Sequence, residues 1–271
     1  MGPFQGEMRP VKDRHERDFS MNKSFLKYDR PWLTGIVSPD ADTPEKVISE
    51  IEYGIFEGAD SFCIEITRMR EEFWNKEDIS RVISACGDRP VYTCAYRSGF
   101  GEGHTDEELE KLTLLSAESG ADLLDVMGDL YHPEPYELTE DEEALKKQRA
   151  LIEKLHAMGK EVLISSHNHA FYPREKTLEW ALSQERRGAD VVKIIGVSDT
   201  EEELVENLKA YALLNKNLKK PYLFMTGGAW CQLTRECTGR LGAFMYLGRL
   251  GDTGVQPAIR SLKFMTEEMC L

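Results

Sequence analysis

The residues best suited to chemistry in this chain are Lys193 and His167. Lys193 stands inside the apolar run Ala189-Asp190-Val191-Val192-Lys193-Ile194-Ile195-Gly196. An ammonium is costly to bury, so burial lowers a lysine's pKa and frees its amine to attack a carbonyl. The competing reading is a lysine that snorkels from a strand end to solvent. The preceding apolar run, Val162 to Ser166, leads into Ser165-Ser166-His167-Asn168-His169. Two successive strands ending in an imidazole and an amine suggest one site at one rim. An imine between Lys193 and a ketone would act as an electron sink, making a neighbouring proton acidic. A histidine close by would remove that proton and then hand one to a leaving group.

The elements that must position these groups alternate along the chain. Strand patterns fall at Trp32 to Val37, Ser61 to Thr67, Pro90 to Tyr96, Asp122 to Met127 and Val162 to Ser166. Three more follow, at the Lys193 run, Pro221 to Thr226 and Leu241 to Leu247. Helical patterns lie between them, opened by caps such as Thr43-Pro44-Glu45, Thr105-Asp106-Glu107-Glu108 and Thr200. A final helix is expected from Pro257 to Met269. Eight short-looped strand–helix units demand parallel strands with right-handed crossovers, and at this length they close into a (β/α)8 barrel. An open doubly wound sheet is the structural alternative. No linker-like composition interrupts residues 31–271, which are expected to form one catalytic domain. Residues 1–30 are expected to be a flexible arm or a partial cover over the barrel bottom.

Composition narrows the function. The 271 residues carry a net charge of -14, with 41% hydrophobic and 30% charged residues. That balance fits a soluble globular protein and argues against a nucleic-acid partner, which needs a basic face. No apolar run approaches the roughly 20 residues of a membrane span. The N-terminal segment has no apolar signal region. The six cysteines follow no metal-ligand spacing, so a reduced, cytoplasmic protein is the simplest reading.

In a barrel the site lies at the carboxyl ends of the strands. That rim would collect Glu65 and Thr67, Arg97 and Ser98, Asp125 and Met127, His167 and His169, Lys193, Thr226, Arg235 and Gln256. An imidazole, an amine and two guanidinium groups suit a small anionic carbonyl compound. Each also has a plainer reading. Arg97 and Arg235 could be surface ion-pair residues, Asp125 a structural acceptor, and His167 a hydrogen-bonded structural histidine.

These residues resemble type I 3-dehydroquinate dehydratase. Ser165-Ser166-His167-Asn168 is similar to that family's [SC]-[NHY]-H-[DN], with Ser166 off the pattern. Ala189-Asp190-Val191-Val192-Lys193-Ile194 is similar to its AD-x-x-K-I, 26 residues on where the family has about 27. Tyr96-Arg97-Ser98 resembles F-R-S. The stretch Met225 to Arg235 resembles the family's M-x-x-x-G-x-x-S-R, and Gly254-Val255-Gln256 resembles the lid motif P-G-Q with one residue inserted. The resemblance covers about 31–270. It implies a (β/α)8 barrel of the shikimate or quinate pathway that needs no cofactor and no metal. Lys193 would form the Schiff base with 3-dehydroquinate, and His167 would act as general acid and base. Glu102 would orient that histidine. Glu65, Thr67, Arg97, Arg235, Gln256 and His169 would bind substrate, Arg235 through its carboxylate. His167 is preferred to His169 for its spacing to Lys193. The resemblance and an apolar C-terminal helix together make a homodimer reasonable.

The chain departs from the pattern in two strands. Where the family reads G-A-D-x-x-E-x-R-x-D, this chain has Gly58-Ala59-Asp60-Ser61-Phe62-Cys63-Ile64-Glu65-Ile66-Thr67. The fourth strand ends Asp125-Val126-Met127 in place of D-x-E, and a longer loop, Gly128 to Glu140, follows it. A related polyhydroxy ketone acid is therefore the alternative substrate. A second class of reading is a metal-dependent barrel isomerase or hydrolase using His167, His169, Asp125 and His132, with Glu134 nearby. A third is a barrel that only binds a ligand.

Overall fold

Gly-Ala-Asp occurs three times, at 58–60, 120–122 and 188–190, each time where a helix gives way to a strand. In the computed structural model, which describes residues 23–251 and 254–267, the three copies do the same work. The glycines take φ of 95°, 112° and 105°, the left-handed conformation that lets a chain leave a helix without a Cβ clash. Each alanine is buried. Each aspartate grips the first part of the preceding strand. The carboxylates of Asp60, Asp122 and Asp190 accept from the N–H groups of Leu33, Val91 and Val162 at 2.7, 2.8 and 3.1 Å. Their own N–H groups donate to the carbonyls of those same residues. Three inter-strand registers are thereby fixed at the amino ends of the strands.

The strands are β1 (Trp32–Ile36), β2 (Ser61–Glu65), β3 (Val91–Cys94), β4 (Leu123–Met127), β5 (Glu161–His167), β6 (Val191–Val197), β7 (Tyr222–Gly227) and β8 (Met245–Arg249). The helices are α1 (Pro44–Glu57), α2 (Lys76–Ala85), α3 (Asp106–Glu118), α4 (Glu142–Ala157), α5 (Arg174–Arg186), α6 (Glu201–Asn217), α7 (Cys231–Cys237) and α8 (Ile259–Glu267). All pairings are parallel, and the order runs β7-β6-β5-β4-β3-β2-β1-β8. Phe244 N–H donates to the Tyr222 carbonyl at 3.0 Å, so the approach to β8 meets β7 and nearly closes the ring. This is the (β/α)8 barrel expected from the alternation. Thr43, Thr105 and Thr200 cap α1, α3 and α6 through their side chains, and the last two form full capping boxes with Glu108 and Glu203.

The boundary of the last strand differs most from the expected one. The last strand begins at Met245 and not at Leu241. Leu241 and Gly242 are still turning: their N–H groups bond back to Cys237 and Gly239, and Gly242 has φ 114°. Tertiary pairing then sets the strand, which runs in register with β1 from Trp32↔Met245 to Ile36↔Arg249.

Residues 1–22 of the expected arm lie outside the described residues. Residues 23–30 lie across the amino ends of the strands. Ser24 and Phe25 bond to the Glu161 carboxylate at the start of β5, and Phe25 packs edge-on against Trp32 and Phe244. Arg30 pairs with Asp60 at 2.9 Å. Among the described residues no helix is long and apolar enough to cross a membrane.

Candidate active site

Alternation along a strand sends successive side chains to opposite faces. On β3 to β6 it brings Tyr92, Asp125, Ser165 and Lys193 together inside the barrel, where all four are buried. Lys193 Nζ donates to the hydroxyls of Tyr96 at 2.6 Å and Tyr92 at 3.0 Å, and lies 3.4 Å from Asp125 Oδ2. Both phenols in turn donate to Asp125 Oδ2, Tyr96 at 2.5 Å. Ser165 donates to Asp125 Oδ1 at 2.6 Å. Every partner of the buried amine is therefore polar and in contact with one carboxylate.

This network reverses the electrostatic expectation for Lys193. Burial by itself pushes the amine's pKa down, but the charge and hydrogen bond of Asp125 outweigh it and hold the ammonium above its ordinary value. Burial, reinforced by Asp125, pushes Tyr92 and Tyr96 above their ordinary range, so both stay protonated and able to donate. The resting lysine is an ammonium. Its proton has a hydrogen-bonded route to Asp125 through Tyr96.

The backbone of Lys193 is held from outside the barrel. Buried Gln184 of α5 accepts from Lys193 N–H at 3.0 Å and donates to its carbonyl at 3.1 Å. Gln184 also reaches Ser166 at 3.2 Å.

His167 is the last residue of β5. Its ring meets that of Tyr96 edge-on, with centroids 5.0 Å apart. Its Nδ1 lies 2.7 Å from Glu137 Oε2, and its N–H donates to the same oxygen at 2.9 Å. Burial alone would raise Glu137, but its bonds to His167 hold the carboxyl below its ordinary value. Tyr96 thus touches both Lys193 and His167.

The remaining expected residues fall in different surroundings. Glu65 accepts from Ser98 at 2.7 Å and Thr67 at 3.3 Å, and pairs with Arg68 at 3.1 Å. Arg68 comes from a 3-10 turn at 66–68 that ends the strand two residues before Thr67. A guanidinium therefore does stand beside Glu65, supplied from a position that the strand pattern did not single out. Arg97 makes four hydrogen bonds, two to Asp106 and two to Asp129. These carboxylates hold it above its ordinary pKa although burial works the other way. It ties the loop after β4 to the start of α3. Arg235 is buried on α7, donates to the Met225 sulfur at 2.7 Å, and has no partner for its Nε among the described residues. Burial lowers its pKa. Gln256 lies partly buried in the loop before α8.

Glu102 and His169 are exposed. Glu102 sits just past the short turn at 99–101, and its N–H donates to the Gly99 carbonyl. The carboxylate on His167 is Glu137. His132 pairs with Glu134 at 3.2 Å and approaches Thr139 at 3.4 Å. The four residues of the metal reading are not brought together. Asp125 is engaged by Lys193, both tyrosines and Ser165, and no group of three or more possible metal-holding side chains occurs among the described residues.

Fold and site together define the class: a (β/α)8 barrel with a buried lysine on its sixth strand and a carboxylate-bonded histidine ending its fifth. The family model for type I 3-dehydroquinase matches residues 37–267. The chain belongs to that family, and is accordingly a hydro-lyase of the 3-dehydroquinate dehydratase type. Among solved structures it is similar to 3-dehydroquinate dehydratase from Geobacillus kaustophilus HTA426, with a TM-score of 0.75 and 16% identity over 91% of this chain and 97% of that one. It is similar also to the type I enzyme from Clostridium difficile with covalently modified comenic acid, with a TM-score of 0.73 and 18% identity over 88% of this chain and 92% of that one. The Aquifex aeolicus VF5 enzyme has a TM-score of 0.63 and 17% identity over 87% of this chain and 99% of that one. No curated protein sequence matches the chain.

Proposed function

We propose that the chain dehydrates 3-dehydroquinate through a Schiff base on Lys193, with His167 as the general acid and base. The observation that carries this reading is the shared neighbour: Tyr96 is 2.6 Å from the Lys193 amine and in ring contact with His167. A carbonyl carbon bonded to Nζ would therefore sit within reach of the imidazole.

The steps follow from the network. Lys193 first loses a proton along the Tyr96–Asp125 path. Its amine adds to the ketone, and loss of water leaves the protonated imine. That imine withdraws electrons from the adjacent C–H, and His167 takes the proton through Nε2. The electron pair forms the new double bond and expels the hydroxyl, which leaves as water with the proton His167 returns. Hydrolysis of the imine restores the lysine.

Arg235 supports an anionic substrate. A buried guanidinium without a carboxylate partner is expensive, and a ligand carboxylate would satisfy it. Glu65, Thr67 and Gln256 remain candidates for reading substrate hydroxyls. Arg97 is proposed as a loop anchor, since its donors are already bonded to Asp106 and Asp129. The five described cysteines are free thiols, which supports a reducing, cytoplasmic setting. A homodimer is proposed on the family resemblance and the apolar C-terminal helix, and sedimentation would test it.

The test is enone formation from 3-dehydroquinate, followed by its absorbance. Turnover by the wild type that disappears in Lys193→Ala supports the reading. Undiminished turnover in that variant rejects it.

A further inference from the structure

We infer that Glu137, carried by the long loop after β4, is the positioning residue that sets the tautomer of His167, the part Glu102 was expected to play. The inference rests on the proposed role of His167. One carboxylate oxygen serves two donors of the same residue: the His167 N–H at 2.9 Å and Nδ1 at 2.7 Å. The backbone bond fixes the carboxylate relative to the strand end, whatever the charge on the ring. An ionised carboxylate only accepts, so Nδ1 must carry the proton. Nε2 is left with its lone pair, as a base requires. When Nε2 takes a proton, the imidazolium faces the Glu137 carboxylate, which keeps its own charge throughout. No proton passes to Glu137. The Tyr96 ring meets the imidazole edge-on, and the charge of Lys193 also favours ionised Glu137.

The loop is built to hold Glu137 there. Glu137 has φ 47°, a left-handed conformation that a non-glycine residue keeps only where the surroundings impose it. The neighbouring Tyr136 ring stacks on Trp180 at 5.6 Å and meets Tyr172 edge-on at 5.3 Å, both packed at α5. Arg187 donates to the carbonyls of Gly128 at 2.9 Å and Thr139 at 2.6 Å, clamping both ends of the loop. Buried Gln148 adds bonds to the Gly128 and Leu130 carbonyls. A Cβ at Gly128 would lie 2.6 Å from the Glu137 carbonyl oxygen, so glycine alone permits this path. The carboxylate of Glu102 has no hydrogen bond or ion pair among the described residues.

The test compares the full-length wild type, Glu137→Gln and Glu102→Gln. Long-range ¹H–¹⁵N spectra of histidine-labelled protein read the His167 tautomer, turnover is followed against pH, and borohydride with 3-dehydroquinate reports imine formation. We expect Nδ1–H with bare Nε2 in the wild type. In Glu137→Gln we expect kcat to fall roughly 100-fold, within the range a positioned acid–base group contributes. Imine trapping on Lys193 should persist, while the Nδ1–H tautomer is no longer held as the dominant form. An Nε2–H tautomer in the wild type overturns the inference. So does a loss of kcat confined to Glu102→Gln. Absence of any adduct in the wild type would instead reject the Schiff-base reading, and the His167 tautomer would still decide the role of Glu137.

Discussion

Lys193 Nζ lies 3.4 Å from Asp125 Oδ2, inside a barrel where both side chains are buried. The pair makes the nucleophile an ammonium at rest, since the carboxylate overcomes the effect of burial. Attack on a ketone then has to wait for deprotonation, and the surroundings of Asp125 become part of the rate.

That relationship gives a pH dependence with a definite sign. With the Lys193 pKa raised, the fraction of free amine grows as pH increases, so kcat/KM should rise with pH on the acidic side of its profile. Asp125→Asn removes the charge that favours the ammonium, and should move that limb to lower pH. The same raised pKa stabilises the fold below the ordinary lysine value of about 10.5 and ceases to do so as pH rises through the folded value. The profile of Asp125→Asn against wild type checks the first statement, and urea midpoints at neutral and strongly alkaline pH check the second.

Arg235→Ala should raise KM for 3-dehydroquinate and lower kcat/KM by about ten- to a hundredfold. A charge-assisted hydrogen bond contributes about 1.5–3 kcal/mol, which corresponds to that range. Imine trapping at saturating substrate should survive. Steady-state kinetics over a wide substrate range would separate the two effects.

Arg97→Ala should destabilise the protein by about 3 kcal/mol, because it leaves nearly fully buried Asp129 without its cation. Release of the loop should also lower kcat through Glu137 more than it raises KM. Arg97 contacting substrate would give the opposite split, a large KM effect with stability unchanged. Thermal unfolding alongside kinetics distinguishes them.

Gln184→Leu should cost about 1–3 kcal/mol, the penalty for leaving the Lys193 backbone groups without their side-chain partner. It should reduce the rate of imine formation, since the nucleophile's strand is no longer fixed from α5. Denaturant melts and trapping rates measure both.

Much of this architecture was legible in the sequence. The alternation of strand and helix patterns, with threonine caps at Thr43, Thr105 and Thr200, marks eight units, because local hydrogen bonding and burial obey short periods. Leu241 to Leu247 misled because an apolar stretch fits either a strand or a packed turn, and the pairing with β1 decided it. In the site, Lys193 was legible because a charge inside an apolar strand is a conflict that needs an explanation, and His167 because it ends the strand before. The ammonium state was not, since it depends on which residue of β4 faces which residue of β6. Arg97 was legible as a charge at the rim, but its partners Asp106 and Asp129 come from two other elements. Glu137 left no pattern at all: its reach depends on a loop clamped by Arg187, Gln148 and Arg97, none of which is near it in sequence.

Borohydride reduction in the presence of 3-dehydroquinate, read by intact mass and peptide mapping, tests the central claim most directly. The account predicts one adduct of substrate-derived mass on the peptide containing Lys193, formed faster as pH rises from 6 toward 9 (roughly the span over which free amine accumulates while the fold holds). Rapid dehydration with no adduct at Lys193 at any pH would contradict it.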